Sequence, residues 1–311
     1  MGGRRGKRVV PYSTRYLPGD LSVLLYVDVA TTRTARVFSR LPDDAKDLMF
    51  TCDETRRESL KKSRDARRDE RRAEQKAAQQ AKQEKQAKGD KGQAKGDDGR
   101  DDERSKRGRK DRAEAIFDKG ACQLARALGH DDLRAWDGFL AAQSHTHPTL
   151  SALVARVPRA QSVIREAVKR GTLRRHSDRR WRLEGVTYAG EPVDVYNLDG
   201  DELVLAGRSQ LDRIVKARKG RTKTLDKELR SLVRKVPEDV SFFTVMTKRA
   251  MQDQIRELGA LASFLPAPDG MLMSAVAYDY AGVFVQIPTS DPLRAAVLLS
   301  MVKNMLASQE K

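Results

Sequence analysis

Between residues 54 and 114 the chain carries one large apolar side chain, Leu60, among Lys, Arg, Glu, Asp, Gln, Ala and Gly. Such a stretch cannot bury enough surface to offset the entropy of ordering it, so it is predicted to lie outside any folded core. Its first part, 54–88, is rich in good helix formers with charges of both signs. It has no a/d apolar seam after Leu60, which predicts a solvated single helix rather than a coiled coil. Residues 89–108 repeat Lys-Gly-Asp and Lys-Gly-Gln units, and their glycines break any helix there. The apolar residues are left in a short piece before this insertion and a long one after it.

At 311 residues the length suggests about two domains. Without the insertion and a basic tail at 1–15, roughly 235 residues remain, enough for one or two modest cores. Lys plus Arg number 61 against 44 acidic residues, a net charge of +17. That surplus predicts attraction to a polyanion: nucleic acid, anionic lipid or an acidic polymer. Cys52 and Cys122 flank the insertion and form no metal motif. They are either a disulfide, as an oxidising compartment allows, or two unrelated thiols. The basic residues 1–8 precede no hydrophobic h-region, and no run approaches the roughly 20 apolar residues of a membrane span, so neither a signal peptide nor a span is read.

The near-continuous apolar run 21–29 follows the turn Leu17-Pro18-Gly19-Asp20 and reads as a buried strand. A short helix is expected at 31–41, and Pro42-Asp43-Asp44 starts another. After the insertion, Ile116 to Leu128 reads as an amphipathic helix ended by Gly129, and a further helix should carry Leu133, Trp136 and Leu140. Strand 150–157 and helix 161–169 follow. Short strands are read at 181–183 and 186–188. Val193-Asp194-Val195-Tyr196 alternates strictly ahead of Asp199-Gly200, and Leu203-Val204-Leu205 returns, the strongest hairpin signal in the chain. Helices are expected at 210–217 and 225–233, and a strand at 240–246. Then come a helix at 250–258, strands at 261–265, 271–280 and 282–287, and a helix started by Ser290-Asp291-Pro292. Phe242, Phe243, Val245, Phe284, Val285 and Ile287 are the expected core of the last third. Strand 21–29 is expected to pack in the same domain as 152–157, because alone it would leave its apolar faces and backbone edge in water.

Leu17-Pro18-Gly19-Asp20-Leu21-Ser22 aligns with Val236-Pro237-Glu238-Asp239-Val240-Ser241, and Ala155-Arg156-Val157-Pro158 with Val285-Gln286-Ile287-Pro288, in the same order. The fold class expected is therefore α+β, with two related units of strand, helix, antiparallel strands and helix. The first unit would comprise 16–53 plus 115–220 and the second 221–311, with 54–114 inserted as a disordered segment or single helix. With Asp199-Gly200-Asp201-Glu202-Leu203-Val204-Leu205-Ala206-Gly207-Arg208-Ser209, this layout resembles a poorly characterised group of bacterial exported proteins and lipoproteins built from tandem α+β units. The resemblance implies a cell-envelope location, against the cytoplasm that the lack of a signal would otherwise imply. It implies no activity, cofactor or catalytic residue.

The chemistry-bearing motifs are few. There is no P-loop, dinucleotide fingerprint, nucleophile elbow, H-E-x-x-H or C-x-x-C. His145 and His147, at i, i+2, could share a zinc on one side of a strand, with His130, Asp131 and Asp132 completing it, but they read more simply as loop histidines before Pro148. That metal-dependent hydrolase is a third functional reading. Two basic clusters stand out: Arg174, Arg175, His176, Arg179, Arg180, Trp181 and Arg182, and Lys216, Arg218, Lys219, Arg221 and Lys223. In these, Trp181 could stack a base while arginines hold phosphates, or Trp181 could be a core residue among solvated arginines. The leading functional expectation is a non-enzymatic binding or structural protein whose basic linker suits anionic surfaces, with no cofactor. The alternative is a sequence-independent nucleic-acid-binding protein using the linker and both clusters.

Overall fold

In the computed structural model the run at 21–29 becomes β1 (Leu21–Asp28), and it is an inner strand of one sheet. The structure describes residues 14, 16–87, 120–144, 150–188, 190–220, 225–237, 240–257, 268–277, 281–288 and 296. The other strands are β2 (Gly138–Ser144), β3 (Leu150–Arg156), β4 (Leu173–Ser177), β5 (Arg180–Tyr188), β6 (Glu191–Asp199), β7 (Glu202–Gly207), β8 (Phe242–Thr247), β9 (Gly270–Ala277) and β10 (Ala281–Gln286). They form a ten-stranded sheet in the order β10-β9-β8-β1-β2-β3-β7-β6-β5-β4, and every neighbouring pair is antiparallel.

This overturns the two-unit fold class. Helices and strands are both abundant, but strands from the two expected units belong to one sheet. The two matched segments lead into β1 and β8, and these pair directly, with Leu25 opposite Thr244. Pairing satisfies the backbone edges that two separate units would have left open. β1 also pairs with β2, and β2 with β3, so the N-terminal strand does share a sheet with 152–157 across the insertion.

Both faces of the middle strands are buried, which is why these sequences read as apolar runs rather than alternating ones. On one face Phe38, Phe50, Trp136, Phe139, Leu153 and Ile164 form a core. It lies under α1 (Val29–Thr34), α2 (Arg36–Ser39), α3 (Asp43–Phe50), α5 (Cys122–Leu128) and α6 (Ala160–Lys169). On the other face Leu24, Tyr26, Leu140, Val204, Phe243 and Leu272 pack with residues of α7 (Arg208–Arg218) and α8 (Lys227–Arg234). Helix α9 (Lys248–Glu257) packs on β8 and β9.

The insertion opens with α4 (Glu54–Ala87), a 34-residue helix, and its continuation at 88–119 lies outside the described residues. From Lys62 onward every described side chain of α4 is exposed. The root is pinned: Arg67 Nη1 lies 3.1 Å from Asp44 Oδ2, Arg126 Nη1 lies 2.8 Å from Glu54 Oε1, and Arg56 pairs with Asp47. Below it Cys52 and Cys122 form a disulfide, both at 1% exposure or less.

Local readings fail at identifiable places. Leu133, Trp136 and Leu140 belong to no common helix: Leu133–Ala135 is a 3-10 turn and Leu140 lies in β2. Helical spacing in an Ala-rich strand buried on both faces imitates an amphipathic helix. Gly138 starts that strand because a Cβ there would sit 2.7 Å from the Val27 carbonyl oxygen. β4 was not expected, since its residues Arg174-Arg175-His176 look like loop. The Asp199-Gly200 hairpin is present between β6 and β7, with Gly200 at φ 55°. Phe243 and Val245 are fully buried, but Phe284 and Val285 are each 53% exposed, and Phe242 and Ile287 are half-buried. β10 ends the sheet, where the described helices leave it largely bare. The strand expected at 261–265 and the helix after Ser290 lie outside the described residues.

Candidate functional site

The fold brings the two basic clusters to one end of the sheet. β4 and β5 make the edge hairpin, with Arg174 opposite Arg182 and Arg175 opposite Trp181. β6 pairs next, Arg182 opposite Asp194 and Arg180 opposite Tyr196. Residues directly opposite on antiparallel strands share a face. Arg180, Arg182, Asp194 and Tyr196 therefore stand on the side covered by α7, which crosses β6 and β7.

Asp194 is fully buried there. Its Oδ2 accepts from Arg180 Nε at 2.7 Å and its Oδ1 accepts from Arg182 Nε at 3.0 Å. Arg180 Nη1 donates to Asp212 Oδ1 of α7 at 2.6 Å. A carboxylate out of water persists only when paired, and two guanidiniums pair this one. Burial is the largest influence on Arg180 and opposes its charge; the hydrogen bonds and charges of Asp212 and Asp194 outweigh it and raise its pKa. Arg180 and Arg182 thus lock the hairpin to α7. Their neutralisation by Asp194 also lets Arg174 sit across from Arg182, a like-charge pair that would otherwise destabilise the hairpin.

Trp181 projects to the opposite face and is 6% exposed, within the core shared with Trp136 and Phe139. It offers no surface on which a base can stack. Among the described residues, the exposed members of the clusters are Arg174, Arg175, His176 and Arg179 on the hairpin and Lys216 and Lys219 on and just after α7. Lys216 and Lys219 continue the helix stripe that carries Asp212, so the Arg180–Asp212 pair holds them beside the hairpin. Arg175 makes a surface pair with Asp178 at 3.3 Å, and Arg218, half-buried, donates from Nη1 to the Tyr196 hydroxyl at 3.4 Å. Arg221 lies outside the described residues. What remains exposed among the described members is a set of cations, with Trp181 withdrawn from them. The same charges on β4 also blunt that sheet edge against strand addition.

Asp194 is the residue that sequence reading misses. Strict alternation places it on the solvent side of a hairpin. The available signal was Arg180-x-Arg182 one strand earlier, two cations at the same period.

His145 and His147 lie outside the described residues. The three residues considered with them are engaged elsewhere. His130 Nδ1 accepts from Trp136 Nε1–H at 3.1 Å, the Asp131 carbonyl accepts from Cys52 N–H at 2.8 Å, and Asp132 caps the 3-10 turn through Arg134 N–H at 2.6 Å. Burial, and then Arg170, lower the pKa of His130. Among the described residues no three His, Cys, Asp or Glu gather as a metal site. A surface cleft of about 390 Å³ beside α8 is lined by Asp226, Lys227, Glu228, Lys235 and Asp269 among others. Asp269 there pairs with Lys248 at 2.9 Å. No described helix is long and apolar enough to cross a membrane, which says nothing of strands.

No family model matches the chain, and no curated protein matches it. Two solved structures, crystal forms I and III of TP0453, are similar at 9% and 10% identity with TM-scores of 0.39 and 0.38. The alignments cover 96% and 93% of this chain and 88% and 85% of those chains. Likeness at that level carries no argument about fold or function.

Proposed function

We propose that the protein is a non-enzymatic binding or structural component that engages the anionic headgroups of a membrane surface through charge alone, in the cell envelope. The observation that carries this reading is that the exposed cations Arg174, Arg175 and Arg179 of the edge hairpin, on both faces of the sheet, and Lys216 and Lys219 on and just after α7 lie at one end of the sheet, while Trp181 is withdrawn into the core. A surface built from cations without stacking rings recognises charge density rather than bases. Helix α4 adds to it: 12 basic residues against 7 acidic ones, on a helix with no apolar seam. The buried Cys52–Cys122 disulfide supports a compartment that oxidises thiols, consistent with the envelope location that the resemblance implies.

The test is flotation of the full chain with phosphatidylcholine vesicles containing or lacking phosphatidylserine, alongside a variant with Arg174, Arg175, Arg179, Lys216 and Lys219 each changed to Glu. Expected are binding to the anionic vesicles only and its loss in the variant, whose circular dichroism is unchanged. Equal binding to neutral vesicles, or an unaffected variant, contradicts the reading. Tighter binding to single-stranded oligonucleotides than to anionic vesicles would replace it with nucleic-acid binding.

A further inference from the structure

The two edges of the sheet are built oppositely. β4, at one end, reads Leu173-Arg174-Arg175-His176-Ser177, and its side chains after Leu173 are exposed. If two copies met there they would set arginine against arginine. β10, at the other end, reads Ala281-Gly282-Val283-Phe284-Val285-Gln286. It pairs with β9 on one side and, among the described residues, with no strand on the other. Val283 is 64% exposed and Phe284 and Val285 53% each, so apolar side chains stand in water on both of its faces. An open apolar edge lacking a charge, a proline or a bulge is a template for strand addition.

Charge and symmetry identify the occupant. β8, β9 and β10 contain no charged residue, so a second β10 added at this edge sets no like charges across the new strand pair, whereas pairing at β4 would. The sequence around Phe284 is also self-complementary. In an antiparallel pair with a two-fold axis at Phe284, each Val283 lies opposite a Val285 and Phe284 lies opposite itself. Cross-strand apolar pairs of this kind stabilise a sheet, and an isologous contact needs the same patch on both copies. We propose that β10 is the self-association edge of this protein, where a second copy adds its own β10 antiparallel across an axis through Phe284 and continues the sheet.

The experiment uses the full chain with its native disulfide intact. Sedimentation equilibrium should show a reversible dimer. Changing both Val283 and Val285 to Lys sets lysine opposite lysine twice, and should raise the dimer dissociation constant about tenfold or more with far-UV circular dichroism unchanged. Under mild oxidation the Phe284→Cys variant should form a covalent dimer, because residues on the axis approach to disulfide range, while Arg175→Cys on the opposite edge should not. The Phe284→Cys comparison decides the matter even if the double lysine variant misfolds. A wild-type chain that stays monomeric at every concentration overturns the proposal. So does a Phe284→Cys thiol that cross-links no faster than Arg175→Cys.

Discussion

Cys52 and Cys122, 70 residues apart in sequence, are joined with their Cα atoms 5.0 Å apart. The bond closes the mouth of the charged insertion beneath the root of α4, where Arg126 Nε also donates to the Cys52 carbonyl at 2.8 Å. The insertion therefore leaves and re-enters the fold at one point, and the sheet on either side is undisturbed by it.

Reduction should lower the unfolding free energy by about 4 kcal/mol, the chain-entropy value for a loop of this length. Urea unfolding with and without reductant measures it. An unchanged midpoint would mean that packing around α5 alone holds the mouth closed.

Asp194→Ala should cost about 3–5 kcal/mol, because Arg180 and Arg182, with side chains only 14% and 27% exposed, lose the carboxylate they share. Asp212→Ala removes a half-exposed partner and should cost much less. Equilibrium unfolding of both variants checks the order, and an Asp212 effect equal to that of Asp194 would contradict it.

How far the sequence was legible follows from which faces the fold covers. The run at 21–29, the Asp199-Gly200 turn and the solvated start of the insertion were readable because local chemistry decides each of them. β2 was not, because a strand buried on both faces has no period of its own, and Leu133, Trp136 and Leu140 supplied a false helical one. The single sheet was not legible either: that β1 and β8 pair with each other is a long-range choice no local pattern encodes. At the site the basic residues could be listed, but which were exposed could not. Arg174 and Arg182 look alike in sequence and differ only because Asp194 lies under one of them.

Phe243→Ala should cost about 3–5 kcal/mol, since Phe243 is fully buried and stacks on Tyr26 at 5.2 Å between ring centroids. Phe284→Ala, measured at dilutions where the chain is monomeric, should stay within about 0.5 kcal/mol. Comparable losses at the two positions would place β10 in the core.

His130 should make stability depend on pH below neutrality. Its folded pKa lies below the ordinary 6.5, so between the two values the unfolded chain binds more protons. Its contribution is full above about 6.5 and is lost as the pH falls through that window, when protonation also removes the acceptor for Trp136 Nε1–H. Unfolding at a series of pH values should show this slope in the wild type and a flatter one in His130→Gln. Parallel curves would remove His130 from the account.

Contact with an anionic surface by charge without stacking must weaken as salt screens it. The affinity of the full chain for phosphatidylserine-containing vesicles should fall steeply with added sodium chloride, as expected when several cations displace counterions. The variant with Arg174, Arg175, Arg179, Lys216 and Lys219 changed to Glu should show a much shallower dependence. Vesicle affinity that is insensitive to salt, or a slope identical in the two proteins, would contradict the account.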